Sequence, residues 1–271
     1  MSVAIAFLCK IPHPDTISFA DKVAIETGFR VFVVVDSMVK IEPTRNCSII
    51  QLDDTLTLAS GYKNCEIGTG ITSVGKNPTA WDKFCWYFAQ LDTAYDNVWV
   101  FEDDVYIPSS QTLINLCLKY NKYDLVTANN FQRVNGDMAW YWPHIINKIE
   151  GPHYHSMMCG AGMSRAMLEK INERVQQKGE LLYLEALFNT IATNSGLKVH
   201  NPFELKSIVW WGEWDINALL LFPDNVFHPI KPVERHQELR LLTQRAIDEK
   251  VVPVNNLPSF ITDLMDKLNE K

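Results

Sequence analysis

The chain has 271 residues, 47% hydrophobic and 21% charged, with a formal charge of −7 from 32 acidic and 25 basic side chains. This length admits one large α/β domain or two small ones, and the hydrophobic share excludes disordered and collagen-like architectures. The acidic balance lacks the basic footprint of a nucleic-acid binder, and no apolar run approaches the ~18 residues of a membrane span. The N-terminal segment has no basic residue ahead of its apolar run and no small-residue cleavage site, so it reads as a first strand and not as a signal peptide. Six cysteines (Cys9, Cys47, Cys65, Cys85, Cys117, Cys159) lie far apart with no C-x-x-C pair. That spacing argues against zinc ribbons and redox dithiols and suits reduced, buried thiols in a cytoplasmic protein.

Taken in chain order, residues 3–8 are wholly apolar, as in a parallel strand covered on both faces. A Pro-rich turn at 11–14 follows. Ser18, with Asp21 three positions on, predicts the start of a helix that Gly28 ends. Residues 31–35 form the next apolar strand, closing at Asp36, and this βαβ opening predicts right-handed parallel crossovers. The stretch 60–75 is polar and reads as a loop. Thr79 opens a helix with Trp81, Phe84, Cys85 and Phe88 on one face. Residues 98–101 are a buried strand, Ser109 caps a further helix, and 125–128 make a short strand.

From 129 to 155 the chain is rich in Asn, Trp, Tyr and His with weak periodicity, a composition that suits a binding surface. His153 and His155 share a face if extended. The sequence sets no carboxylate beside them, so they read as surface or acceptor-facing groups. Helices are predicted over 163–175 and 180–193, a strand near Val199, and a helical tail from Glu234 with Ile261, Leu264, Met265 and Leu268 at helical spacing. There are no internal repeats. The pattern predicts one α/β domain with a mostly parallel central sheet flanked by helices and a helical C-terminal extension.

The chemistry is most legible where the apolar strand Val98-Trp99-Val100-Phe101 runs into Glu102-Asp103-Asp104. Three adjacent carboxylates repel one another and resist desolvation, and ligands of open parallel sheets bind at the carboxyl ends of strands. On an extended backbone Glu102 and Asp104 face one side and Asp103 the other. A divalent cation would relieve the repulsion and supply positive charge that this acidic chain lacks. A solvated acidic turn is the plainer alternative.

An apolar strand followed by an acidic D-x-D-type triplet resembles the glycosyltransferases of the GT-A fold. Three further segments follow in that family's order. Cys159-Gly160-Ala161-Gly162-Met163-Ser164-Arg165 resembles its glycine loop beside the donor sugar, with Gly160 and Gly162 allowing close backbone approach. Leu182-Tyr183-Leu184-Glu185-Ala186 resembles its x-E-D region, with Ala186 where the family has a second acid. Phe227-His228-Pro229-Ile230-Lys231 resembles the C-terminal histidine segment that completes the metal site.

The resemblance implies a GT-A, Rossmann-like domain over 1–232, with a nucleotide-binding half at 1–104 and an acceptor-binding half at 105–232, followed by the extension at 233–271. It implies Mn²⁺ or Mg²⁺ held by Asp104, His228 and Glu102, imidazole with carboxylates suiting Mn²⁺ well. Asp103 would organise the site from the side. The donor, a nucleotide-sugar and by default a UDP-sugar, would meet Cys9, Lys10, Asp36, Lys76 with Asn77, and Lys231 at the diphosphate. A glycan or glycoconjugate hydroxyl would be the acceptor. Glu185 is the expected base of an inverting transfer, with Asp215 and Glu213 as rivals.

Two other functions remain open at this level. A sugar-nucleotide nucleotidyltransferase shares the sheet and the metal chemistry, but its Gly-rich basic loop is missing from Cys9-Lys10-Ile11-Pro12-His13-Pro14. A non-catalytic carbohydrate-binding relative would use Trp140, Trp142, Trp210, Trp211 and Trp214 as stacking platforms.

Overall fold

A computed structural model describes residues 2–42, 44–66, 77–139, 142–209, 213–254 and 262. Nine strands and eight α-helices are defined within them: β1 (Val3–Cys9), α1 (Pro14–Thr27), β2 (Arg30–Val35), β3 (Ser48–Gln51), α2 (Asp54–Ala59), α3 (Ala80–Trp86), β4 (Asn97–Glu102), α4 (Ser110–Tyr120), β5 (Leu125–Val126), β6 (Phe131–Gln132), β7 (Tyr154–His155), β8 (Gly160–Ser164), α5 (Arg165–Lys178), α6 (Leu184–Asn194), β9 (Val199–His200), α7 (Ile216–Leu221) and α8 (Arg235–Asp248). Seven strands form one sheet in the order β3-β2-β1-β4-β8-β5-β9, and β6 pairs with β7 in a small hairpin sheet. The pairs β3–β2, β2–β1, β1–β4 and β5–β9 are parallel, while β8 runs antiparallel to both β4 and β5. The expected α/β class with a mostly parallel sheet is therefore observed.

Burial on both faces explains why β1 reads as an unbroken apolar run. Ala4, Ala6 and Leu8 enter a core layer with Trp81, Phe84, Phe88, Met167 and Phe188 from α3, α5, α6 and the turn after α3. Val3, Ile5 and Phe7 enter the opposite layer with Phe19, Val23, Leu113 and Leu116 from α1 and α4.

Several local expectations are corrected. The first helix starts at Pro14, not near Ser18: His13 caps it through Nδ1, which accepts from the Asp15 amide at 3.2 Å. Proline suits that first position because its fixed φ is helical and its missing N–H is not needed there. The helix opened by Thr79 passes into a π-helical turn at Tyr87–Leu91, and Phe88 remains buried. The helix expected from Met163 starts at Arg165, because Met163 belongs to β8. The helix expected over 180–193 starts at Leu184. The C-terminal helix α8 ends at Asp248, and the apolar set Ile261, Leu264, Met265 and Leu268 lies outside the described residues.

Gly160 and Gly162 need the largest correction, since they are sheet residues and not a loop. In the antiparallel register Gly162 faces Trp99 and Gly160 faces Phe101. A Cβ on Gly162 would lie 2.9 Å from the Trp99 ring, and one on Gly160 would lie 2.7 Å from Ile208 Cδ1 and 3.0 Å from Phe101. The stacked Trp99 and Phe101 rings, 6.1 Å apart and 13° from parallel, fill the space a side chain would take.

Candidate active site

A cleft of about 780 Å³ opens at the carboxyl edge of β1, β2 and β4. Cys9, Lys10, Asp36, Glu102, Asp103 and Asp104 all line it, together with Asn77. Lys76, with the rest of 67–76, lies outside the described residues.

Backbone pairing explains how the acidic triplet reaches this edge. The strand ends at Glu102, whose amide donates to the Cys159 carbonyl at 2.8 Å, and the Asp103 amide donates to Leu8 at 2.9 Å. Val105 then donates back to Glu102, closing a turn. Strand alternation therefore stops at Glu102, and all three carboxylates face the same cleft instead of splitting two and one.

The distant histidine arrives by a short antiparallel bridge. Tyr106 and Phe227 exchange backbone hydrogen bonds of 2.8 and 3.0 Å, and the Ile230 amide donates to the Asp104 carbonyl at 2.9 Å. This sets His228 Nε2 3.5 Å from Asp104 Oδ2, with both side chains buried. His228 Nδ1 faces the Val209 carbonyl at 3.3 Å, so Nε2 is the nitrogen that meets the carboxylates. Lys231 also reaches Asp104 Oδ2, at 3.0 Å, so this lysine is paired with the triplet.

The electrostatics of the triplet are uneven. Burial and then the Asp104 charge raise the Glu102 carboxyl, against the Trp81 indole, which donates at 2.7 Å. Burial, with Asp104 and Glu102 nearby, pushes Asp103 up to about 6. Burial also opposes ionisation of Asp104, but hydrogen bonds and charge from His228 and Lys231 overcome it and hold that carboxyl below its ordinary range. Burial opposes the His228 charge, and Asp104 reverses this, raising the imidazole.

Glu102, Cys159 and His228 place one donor atom each within 4.8 Å of one another. Burial and the adjacent carboxylates raise the Cys159 thiol well above its ordinary range, which keeps it protonated and a poor ligand for a hard cation. Asp104 Oδ1 is buried with no hydrogen-bond partner. A buried carboxylate oxygen left in that state is costly unless a cation or donor meets it, so the residues present fit a divalent ion bound by oxygen and nitrogen.

Glu185 lies in the first turn of α6, and His155 Nε2 sits 3.2 Å from its Oε2. His155 is thus paired with a carboxylate that the sequence did not set beside it, while buried His153 bonds the Ile149 carbonyl at 3.0 Å. Glu185 is not among the residues that line the cleft of the triplet; its charge, after those of Glu102 and Asp104, raises the Cys159 thiol. Asp215 is occupied differently: it caps α7, accepting from the Ala218 amide at 3.0 Å. Glu213 is exposed beside it.

Two of the candidate stacking tryptophans are core residues. Trp142 is 1% exposed, and Trp214 packs on Phe227 with ring centroids 5.1 Å apart while its indole donates to the His228 carbonyl. Trp140, Trp210 and Trp211 lie outside the described residues.

Sequence reasoning missed Asp54, Glu66 and Asp82 in the cleft, and Lys83 beneath it. Lys83 is fully buried, 2.7 Å from Asp54, and it also donates to the Asp36 backbone carbonyl. The only sequence signal for any of these was Asp82 at the third position after Thr79, where it completes a capping box. No protein-family model matches the chain, and no curated protein matches it significantly.

Proposed function

We propose that this chain is a glycosyltransferase of the GT-A type that moves a sugar from a nucleotide-sugar, a UDP-sugar by default, to a hydroxyl of a glycan or glycoconjugate with inversion at the anomeric carbon. The observation that carries this reading is the union, at the carboxyl edge of a parallel sheet, of Glu102-Asp103-Asp104 with His228 and Lys231. A cleft of about 780 Å³ beside them is large enough for a nucleotide-sugar.

Asp104, Glu102 and His228 would hold Mn²⁺ or Mg²⁺. When bound, the ion supplies Lewis-acid stabilisation of the diphosphate leaving group. The chain's own residues account for the rest. Cys9, Lys10 and Asp36 bind the nucleoside end, Asp36 as an acceptor for hydroxyls. Lys231, whose side chain is 69% exposed, meets phosphate charge from the rim. Glu185 takes the proton of the acceptor hydroxyl while that oxygen bonds the anomeric carbon. The bond from that carbon to the diphosphate oxygen breaks, and its electron pair leaves on the nucleoside diphosphate. A positioned general base contributes ~10²–10⁴-fold. Cytoplasmic placement belongs to the same proposal, supported by six cysteines that are all free and buried. No helix among the described residues is long and apolar enough to cross a membrane.

The deciding measurement is nucleoside diphosphate release from a panel of UDP-sugars, with added Mn²⁺ and with EDTA. Release that needs the metal, and a thermal shift produced by UDP only when Mn²⁺ is present, are expected. Undiminished turnover in EDTA would remove the metal role. Pyrophosphate release from a nucleoside triphosphate and a sugar phosphate would favour a nucleotidyltransferase instead.

A further inference from the structure

The pair His155–Glu185 bridges two elements that the sequence gives no reason to join. The strand β7 and the start of α6 are zipped together: the Ser156 amide donates to the Glu185 carbonyl at 2.9 Å, and the Thr190 hydroxyl accepts from the Tyr154 amide at 2.8 Å. This anchoring delivers His155 Nε2 to Glu185 Oε2 at 3.2 Å, with each side chain only 12% exposed. The imidazole is itself braced by the Trp142 ring, edge-on at 6.0 Å, and the Trp142 indole is held by Asp137 at 2.7 Å. Burial, then the charge of Glu185 and those of Cys159 and Glu102, raises the phenol of Tyr183 at the N-cap of the same helix.

A first-turn carboxylate with no lateral support would sweep through its rotamers, even though the helix dipole favours its ionised form. Here an imidazole from a separate element, β7, meets it at 3.2 Å and restricts that sweep.

We propose that His155 is the positioning residue of the proton acceptor: by donating from Nε2 it fixes the Glu185 carboxylate where an acceptor hydroxyl is deprotonated. This rests on the glycosyl-transfer reading and adds to it a second residue, from the segment at 129–155, on which that reading does not depend. A base misplaced by about an ångström loses on the order of tenfold to a hundredfold in turnover without loss of donor binding.

The experiment uses the full chain with Mn²⁺ and the UDP-sugar that wild type turns over, water or a simple glycoside serving as acceptor. Variants are His155→Phe, His155→Gln, Glu185→Gln and the double variant His155→Phe/Glu185→Gln, with UDP binding measured on each by calorimetry. His155→Phe is expected to lower kcat by at least about tenfold at unchanged donor KM and unchanged UDP affinity. His155→Gln, which restores an N–H donor, should recover most of that loss. In the Glu185→Gln background His155→Phe should have no further effect, because a positioning residue acts only through the group it positions.

Turnover by His155→Phe within about twofold of wild type, or a loss that persists in full on top of Glu185→Gln, overturns the positioning role while leaving sugar transfer intact. If His155→Phe fails to fold, the comparison of His155→Gln with His155→Asn decides, since the shorter amide falls short of Oε2 and should lose what the longer one keeps. Absence of turnover by wild type with every UDP-sugar would instead overturn the parent reading, and this inference with it.

Discussion

Among single residues, the cleft is shaped by carboxylates that raise one another's cost of ionisation. Glu66 is the extreme case: burial, then Glu102, Asp82 and Asp36, push its carboxyl up to about 8. The native state therefore keeps a proton on Glu66 through a range in which the unfolded chain has already released it. Stability from this group is fully present below the ordinary glutamate range and is lost as pH rises through about 8. Glu66→Gln cannot ionise and should escape that loss. Thermal melts are expected to show near-equal stability for the two proteins at or below the ordinary glutamate range, and an advantage for the variant that grows from there to about pH 8 and then levels off. The gain is on the order of a few kcal/mol at most, since a tenfold change in proton affinity is worth ~1.4 kcal/mol. A wild type whose melting temperature is flat across that range would contradict the account. Charge in the triplet is distributed by the same logic, Asp104 staying ionised because His228 and Lys231 meet it, while Asp103 and Glu102 lean toward the protonated form.

Among the strands and helices, β8 decides how the floor of the site is built. It is the one strand antiparallel to its neighbours in the main sheet, and it runs from Cys159, beside the triplet, back along β4. Its two glycines leave room for Trp99 and Phe101 of β4, so β8 is covered by rings from the strand that bears the carboxylates. Gly162→Ala puts a methyl 2.9 Å from an indole that is 2% exposed and hemmed in on its other side. The expected cost is ~1–3 kcal/mol, read as a lower urea midpoint at unchanged m-value. A neutral result would mean that the Trp99 ring moves freely, against the close packing described above.

Across the molecule, α8 packs against the start of the chain near the acidic cleft. Arg240 on α8 stacks 3.6 Å above the Phe19 ring of α1, lies 5.4 Å from the Tyr106 ring, and donates to the Ile107 carbonyl at 2.9 Å. His13, at the start of α1, reaches Glu234 at 3.4 Å. These contacts hold the chain just after His228 and Lys231 against the body. Arg240→Ala should destabilise by roughly 3–5 kcal/mol, the sum expected for a desolvated cation–π contact and a charge-assisted hydrogen bond. It should also weaken Mn²⁺-dependent UDP binding, because the segment carrying His228 is less firmly held. Calorimetric binding at wild-type affinity in a destabilised variant would separate the helix from the site.

Strands β1, β2 and β4, the parallel crossover that joins the first two and the position of the acidic triplet could be read along the chain, because unbroken apolar runs ending in polar residues have few other uses; the short, half-buried β3 gave no such run. His228 and Glu185 were singled out only by the resemblance to a known family. Nothing in one dimension showed that Glu102, Asp103 and Asp104 turn into one cleft, since the hydrogen bonds that end strand alternation come from Leu8 and Cys159, far away in the chain. Gly160 and Gly162 read as a loop because a glycine under an aromatic ring and a glycine in a turn look alike in a linear sequence. His155 stood without a partner because its contact with Glu185 depends on a two-residue strand packed against a helix start, a pairing with no periodicity to betray it. Local periodicity and residue type are written along the chain, whereas the distances that make carboxylate, imidazole and ammonium groups act on one another arise only when the sheet and its bridges close.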